Sequence, residues 1–242
     1  QGLSFEVDFQ DIEELNEGVT SPAGPDISKI SYAVLPTVVD RYALLDSGSA
    51  LGRGNGQLLV RRRGDTTPIR RVAVPGELTT ANAMLLRFFP DIVDRTPVLF
   101  SEIAAAVERG AFDAGVLIHE GRFTYERYNL ELVADLGALW ERQTGLPLPL
   151  GAIVANRELP KEVRRTFDRV LHDSIAYALE HPTASRPFVK EHARELDDDV
   201  IDRHIALFVN RYSLSLGEEG RRAVRELTGL PDLRLGWEPL HG

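Results

Sequence analysis

The distribution of apolar and polar residues divides the chain into short segments typical of a mixed α/β protein. Short apolar runs, such as GVLI at Gly115–Ile118, predict buried strands, and apolar residues at helical spacing predict a long amphipathic helix over Pro160–Leu179. Strands and helices alternate up to Asn156, and beyond it every predicted segment is helical. The predicted strands are Leu3–Phe9, Ile27–Ile30, Gln57–Arg62, Arg71–Pro75, Thr96–Phe100, Gly115–Ile118, Leu130–Leu136 and Gly151–Ala155.

Helix boundaries are marked by capping side chains at one end and by glycine or proline at the other. Ser101 is predicted to cap a helix that Gly110 stops, and Thr79 to open one that Pro90 stops. The predicted helices are Asp11–Glu17, Tyr32–Val39, Thr79–Phe89, Ser101–Arg109, Gly137–Thr144, Pro160–Leu179, Pro187–His192, Asp198–Val209 and Gly217–Leu227.

This order of segments predicts two α/β lobes joined by two crossings, with a helical tail that returns to the first lobe. The strands Gln57–Arg62 and Gly151–Ala155 are predicted to be the paired crossings. Residues 1–62 and 151–242 then form lobe 1, and residues 63–150 form lobe 2. The cleft between two such lobes is the usual place for a small ligand.

Composition restricts the partners of such a protein. The chain has 242 residues, a formal net charge of −9 and no cysteine, which excludes disulfides and thiolate chemistry within it. Excess negative charge argues against nucleic acid or an anionic membrane surface. No apolar run reaches the roughly 20 residues of a membrane-spanning helix. We therefore expect a small-molecule partner and a cytoplasmic location, and oligomeric state stays open.

His119 is the leading candidate for chemistry. It follows a predicted buried strand, in the sequence His119-Glu120-Gly121, and ligands of open α/β sheets bind beyond the carboxyl ends of strands. An imidazole with an ordinary pKa exchanges protons near neutral pH. The simpler interpretation is that His119 only ends the strand and hydrogen-bonds a backbone group. The other five histidines show no metal-ligand spacing, and we interpret them as structural or solvated.

Two further segments have the composition of an anion site. Lys29 and Ser31 lie where a short strand gives way to a helix, and Thr79-Thr80-Ala81 opens a helix after the Gly76 turn. Hydroxyls, a lysine and free backbone N–H groups at helix starts bind anions. From spacing alone, ordinary N-caps are the favoured interpretation of Ser31 and Thr79, with Lys29 solvated.

Several stretches resemble one enzyme family, the 1,4-dihydroxy-6-naphthoate synthases of the futalosine route to menaquinone. The stretches are ALGRGNGQLLV (Ala50–Val60), VAVPGELTTA (Val72–Ala81), AGVLIHEGRFTY (Ala114–Tyr125), VADLGALWERQTGLPLPLGAIVANREL (Val133–Leu159) and NRYSLSLGEEG (Asn210–Gly220). The resemblance implies a two-lobe, periplasmic-binding-protein-like fold of type II. It also implies a lyase that needs no cofactor or metal and that releases the sugar-derived fragment of a cyclic de-hypoxanthinyl futalosine.

The resemblance assigns roles to individual residues. His119 matches the family's proton acceptor, and Lys29-Ile30-Ser31 and Thr79-Thr80-Ala81 match its substrate-binding segments, with Ile30 in place of leucine. Members of the family usually begin with a strand and a Ser-Pro-Cys-Pro-Asn-Asp-Thr-like loop. The chain contains no such motif, so we expect the first strand of lobe 1 to be missing from it.

Two alternatives stay open at this stage. One is chorismate dehydratase, which shares the pathway and the fold. The other is a non-catalytic protein that binds small anions, which the same fold also supports.

Overall fold

Two β-sheets, each covered by helices, organise the computed structural model, which describes residues 2–193, 197–233 and 235. The strands are β1 Ile27–Ser31, β2 Tyr42–Leu44, β3 Ala50–Gly52, β4 Leu58–Arg62, β5 Arg71–Val74, β6 Asp94–Pro97, β7 Ala114–Leu117, β8 Leu130–Asp135 and β9 Leu148–Asn156. The α-helices are α1 Ile12–Thr20, α2 Leu35–Val38, α3 Thr80–Phe88, α4 Phe100–Glu108, α5 Gly121–Thr124, α6 Leu136–Thr144, α7 Lys161–Glu180, α8 Arg186–His192, α9 Asp198–Phe208, α10 Arg211–Leu214 and α11 Gly217–Thr228. Short 3₁₀ helices occupy Tyr32–Val34 and Tyr125–Tyr128.

The first sheet is built around β9, whose length lets it pair antiparallel with β1, β2 and β3. Buried side chains of β1 and β9, including Ile30 and Val154, pack against the 3₁₀ turn at Tyr32 and against α11. The helical tail thus covers the first sheet, as the sequence predicts.

The second sheet has the strand order β6-β5-β7-β4-β8 and places β7 at its centre. β7 pairs parallel with β5 and antiparallel with β4, and its side chains are buried on both faces. Helices α3 and α6 contribute to the core on one face, around Val116, and α4 covers the other face through Ile103. The apolar run that predicted a buried strand is therefore confirmed.

The passages between the sheets lie elsewhere than predicted. β4 belongs wholly to the second sheet and β9 to the first, so the chain changes sheets at residues 53–57 and 145–147. The two passages lie side by side, since Arg53 donates a hydrogen bond of 2.8 Å to the Gly145 carbonyl. Gly56 and Gly137 also touch through their backbones, which leaves no room for a β-carbon at either residue. Our predicted lobe limits, at 62 and 150, are offset from these passages.

Three local predictions are wrong. Residues 3–9 form no strand, although the ring of Phe5 contacts Phe167 of α7 edge-on and the ring of Phe9 contacts Phe188 of α8. An alternating pattern of apolar and polar residues determines which face of a strand is buried, but a strand also needs a neighbouring strand to pair with. None of the described strands lies next to residues 3–9. β6 covers Asp94–Pro97 rather than Thr96–Phe100, and Leu99, not Ser101, is the N-cap of α4.

Within the described residues, no helix is long and apolar enough to cross a membrane.

Candidate functional site

A single cleft brings together most of the predicted site residues. It encloses about 750 Å³, part of it open to solvent, and it lies between the first sheet, the start of α3 and the turn after β7. Its walls include Lys29, Ser31, Thr79, Thr80, Ala81 and His119.

Ile30 is the exception among the predicted site residues. Its side chain is fully buried in the core of the first sheet and does not line the cleft. Side chains alternate across a strand, so Lys29 and Ser31 face one side of β1 and Ile30 faces the other. The prediction that Ile30 contacts substrate through its side chain is therefore wrong.

His119 projects into the cleft from a tight turn after β7. Its φ of 51° puts a non-glycine residue in the left-handed region, and the turn closes with a 3.0 Å hydrogen bond from Gly121 N–H to the Ile118 carbonyl. Such a backbone typically costs about 1–3 kcal/mol and is concentrated at functional sites. Phe100 contacts the imidazole edge-on at a centroid distance of 5.3 Å.

The cleft keeps its imidazoles uncharged. Burial lowers the pKa of His119 to about 3. The charge of Lys29, and then that of His204, act in the same direction as smaller causes. Burial and Lys29 likewise lower the pKa of His204 to about 4. Loss of water favours the neutral ring, and a nearby cation does the same. The pKa of His119 therefore lies below the ordinary value that the sequence prediction assumes, and the ring is neutral at pH 7.

Lys29 supplies the positive charge on the floor of the cleft. Its side chain is accessible from the cavity, yet the protein atoms packed around it remove water and lower its pKa, while Asp11 acts in the opposite direction. Within the described part of the chain, its ammonium forms no hydrogen bond or ion pair. An anionic ligand would supply one.

Ser31 is held so that its hydroxyl proton is available. Asn16, fully buried in α1, donates from Nδ2 to Ser31 Oγ at 3.1 Å and accepts from Ser31 N–H at 2.8 Å. Asn16 thus occupies one lone pair of Oγ, and the O–H proton has no protein acceptor among the described residues and is free to donate. Ser31 caps no helix through its side chain, so the simpler N-cap interpretation does not apply to it.

The start of α3 offers backbone donors rather than hydroxyls. Thr79 Oγ1 donates to the Gly76 carbonyl at 2.8 Å and accepts from Asn82 N–H as the N-cap, so its hydroxyl is fully used. Thr80 Oγ1 donates to the Leu150 carbonyl at 2.9 Å and so ties α3 to β9. The N–H groups of Thr80 and Ala81 lie in the first turn, where no acceptor exists within the helix, and both residues line the cleft. The helix dipole favours negative charge at this end.

Several wall residues were not predicted. His204 and Phe208 come from α9, Arg122 from α5, and Asn55, Gly56 and Gln57 from the first passage. Arg122 donates to the Gly56 carbonyl at 2.5 Å and pairs with Asp135 at 3.3 Å, which ties the His119 turn to that passage. No sequence signal distinguishes His204 from the other tail histidines, because only the docking of α9 brings it to the cleft.

Across the described residues, no group of three or more histidine, aspartate or glutamate side chains is placed to hold a metal ion.

The chain is similar in sequence to a described family and to two named enzymes. A family model described as menaquinone biosynthesis matches residues 1–231. The chain is 46% identical over 221 residues to a 1,4-dihydroxy-6-naphthoate synthase of Thermus thermophilus, covering 90% of this chain and 80% of the relative. It is 44% identical over 230 residues to the enzyme of that name from Streptomyces coelicolor, covering 93% of this chain and 81% of the relative.

Solved structures show the same fold. A protein of Archaeoglobus fulgidus superposes with a TM-score of 0.82 at 35% identity, covering 90% of this chain and 82% of that one. The ligand-binding component of an ABC-type import system from Staphylococcus aureus superposes with a TM-score of 0.66 at 11% identity, covering 91% and 78%.

The fold and cleft therefore define a two-lobe protein of the periplasmic-binding-protein-like class. Within that class, the chain belongs to the menaquinone-biosynthesis family, as an enzyme of the 1,4-dihydroxy-6-naphthoate synthase type.

Proposed function

We propose that this enzyme converts cyclic de-hypoxanthinyl futalosine into 1,4-dihydroxy-6-naphthoate, with His119 as the proton acceptor. The observation that carries the proposal is the presence of a neutral imidazole and a set of hydrogen-bond donors in one cleft. The relatives named as this synthase support the choice of reaction.

His119 acts as the base in this proposal. Breaking the carbon–carbon bond that releases the sugar-derived fragment requires removal of a proton, and a positioned base typically contributes about 10²–10⁴-fold in rate. Because its lowered pKa leaves the ring uncharged at pH 7, it is ready to accept that proton. The strained turn directs the ring towards the bound substrate.

The substrate carboxylate binds Lys29, the Ser31 hydroxyl and the N–H groups of Thr80 and Ala81. All of these groups donate hydrogen bonds. Asn16 already holds the Ser31 hydroxyl, and the Thr79 cap already fixes the start of α3. Bound negative charge offsets the charge of Lys29, which is one of the causes that hold the pKa of His119 down. Carboxylate binding thereby makes His119 a stronger base.

The test is a turnover assay with purified protein, the cyclic substrate, and chorismate as a control substrate. Formation of dihydroxynaphthoate by the wild-type protein is expected, with loss of about 10²-fold or more in kcat for His119→Asn. Asn fits the left-handed backbone, so circular dichroism and thermal unfolding should be unchanged. Dehydration of chorismate instead, binding without turnover, or full activity in His119→Asn would each refute the proposal.

A further inference from the structure

A second imidazole faces the same cleft from the helical tail. The ring of His204, in α9, lies 5.9 Å from the ring of His119 between centroids, with the two planes tilted by 55°. Both rings lie on the cavity wall. The two histidines belong to separate parts of the fold, one to the turn after β7 and the other to a helix that packs on β3.

Aromatic contacts hold the ring of His204 in place. Phe208, one helical turn further along α9, lies 4.6 Å away between centroids. The neighbouring Arg203 places its guanidinium 4.9 Å from the centre of the Phe123 ring, which anchors α9 to α5 beside the cleft. The position of His204 is therefore determined by packing before any ligand binds.

The ring nitrogens of His204 have no hydrogen-bond partner in the part of the protein that the structure describes. Among the described residues, neither ring nitrogen of His204 or His119 takes part in a hydrogen bond. By contrast, His172 and His181 lie exposed on the surface and contact Asp173 and the Tyr177 carbonyl. Both rings are half-buried on the wall of the same cavity, so their free nitrogens are available to a ligand bound there.

The donor and acceptor nitrogens of the His204 ring limit which ligand atoms it can hydrogen-bond. A neutral imidazole has one N–H donor and one acceptor nitrogen, a combination that suits a hydroxyl or carbonyl oxygen. Lys29 and the start of α3 already provide the donors for a carboxylate. His204 is therefore suited to the uncharged part of the substrate, close to the atoms on which His119 acts.

We propose that His204 is a second substrate-contacting residue of this site, which hydrogen-bonds an uncharged oxygen of the substrate beside His119 and holds the reacting bond in line with the base. This inference rests on the proposed function. The competing explanation is that His204 only packs on Phe208 and closes the wall of the cleft.

The experiment compares kcat/KM for the cyclic substrate and the Kd of dihydroxynaphthoate in matched variants. His204→Phe keeps the aromatic volume and removes both nitrogens, and His204→Gln keeps a donor and an acceptor. His172→Gln, on the exposed face of α7, is the control and should match the wild type. Because a lost hydrogen bond leaves a substrate oxygen unpaired, His204→Phe should lower kcat/KM about 10- to 100-fold, and His204→Gln should recover part of the loss.

Unchanged kcat/KM and Kd in His204→Phe, with an unchanged Tm, would refute the inference and leave the proposed function intact. Should the phenylalanine be poorly tolerated, His204→Leu removes the nitrogens without adding volume and decides the question by the same criteria. A wild-type protein without turnover would refute the proposed function and this inference together.

Discussion

Lys29 is the charged residue that acts on both imidazoles of the cleft. Its cation disfavours a second positive charge nearby, so it lowers the pKa of each ring below the value that burial alone would give. Lys29→Met removes the charge and keeps the length of the side chain. We therefore expect the pKa of His119 and His204 to rise from about 3 and about 4 towards, but not to, 6.5.

The measurement is an NMR titration of the histidine rings in ligand-free protein, with the exposed His172 as internal control. For kcat/KM, which reports the free enzyme, the same change should move the acid limb to higher pH, because protonation of His119 removes the base. An acid limb and ring titrations that stay in place in Lys29→Met would contradict this account of the electrostatics.

Ser31 contributes a hydroxyl that accepts one hydrogen bond from Asn16 and keeps its proton free to donate. Ser31→Ala should weaken dihydroxynaphthoate binding by about 1.5–3 kcal/mol, the usual range for a hydrogen bond to a charged group. Ser28→Ala on the same strand is the control, since Ser28 donates to the Lys29 carbonyl and is not on the cavity wall. Calorimetric titration that gives both variants the same affinity would exclude Ser31 from the site.

At the level of elements, the contact between the first passage and α6 depends on two glycines. A β-carbon on Gly137 would lie 2.5 Å from the Gly56 Cα, and one on Gly56 would lie 2.2 Å from the Gly137 Cα. Both neighbours are backbone atoms, so neither can swing aside. Gly137→Ala should therefore destabilise the protein by roughly 1–3 kcal/mol, despite the better helix propensity of alanine.

Gly18→Ala is the matched control for this substitution. Gly18 also lies in a helix, but nothing is within 4 Å of the β-carbon it would gain. That variant should be stabilised by up to about 1 kcal/mol. Denaturant unfolding of both variants measures the difference, and equal stability would mean that the contact with Gly56 relaxes without strain.

Elements that the sequence predicts well are those whose local signals agree with their surroundings. The amphipathic helix α7 and the buried run of β7 are of this kind. The apolar residues of α7 keep helical spacing although most are only half-buried, and every residue of β7 is buried. Residues 3–9 fail because a strand also needs a partner. β9 extends to Leu148, beyond the predicted start at Gly151, because its pairing with β3 carries a strand through Pro149.

The site residues also divide into those that a local sequence pattern predicts and those that depend on how distant elements pack. His119, Lys29 and Ser31 were predicted because strand ends and helix starts are visible in the sequence and because the family resemblance selects among them. His204 and Arg122 were missed because their roles depend on how α9 and α5 dock, which no local pattern encodes. The hydroxyls of Thr79 and Thr80 were expected to bind ligand, yet the structure gives both of them protein acceptors.

For the whole molecule, we propose that the two adjacent passages at residues 53–57 and 145–147 act as a hinge between the lobes. Lys29 and Ser31 line the cleft from the first sheet, and His119 lines it from the end of a strand of the second sheet. Ligand binding should therefore draw the lobes together and exclude water, which strengthens the few donors of an acidic protein.

Small-angle scattering with and without dihydroxynaphthoate tests this motion, and a smaller radius of gyration is expected for the complex. Ser31→Ala, with its weakened binding, provides the control at the same ligand concentration. An unchanged radius at saturating ligand would indicate a cleft that is already closed.

The arrangement around Ser31 and the first turn of α3 also makes the cleft selective for charge state. The Ser31 hydroxyl, the N–H groups of Thr80 and Ala81 and the Lys29 ammonium can all donate, and no acceptor is held among them. A carboxylate satisfies every one of these groups, whereas the primary amide or methyl ester of the same naphthoate brings an N–H or a methyl group against a donor. Close analogues of the right shape would thus be rejected for the hydrogens they carry, and the enzyme would discriminate against neutral aromatic metabolites without any steric barrier.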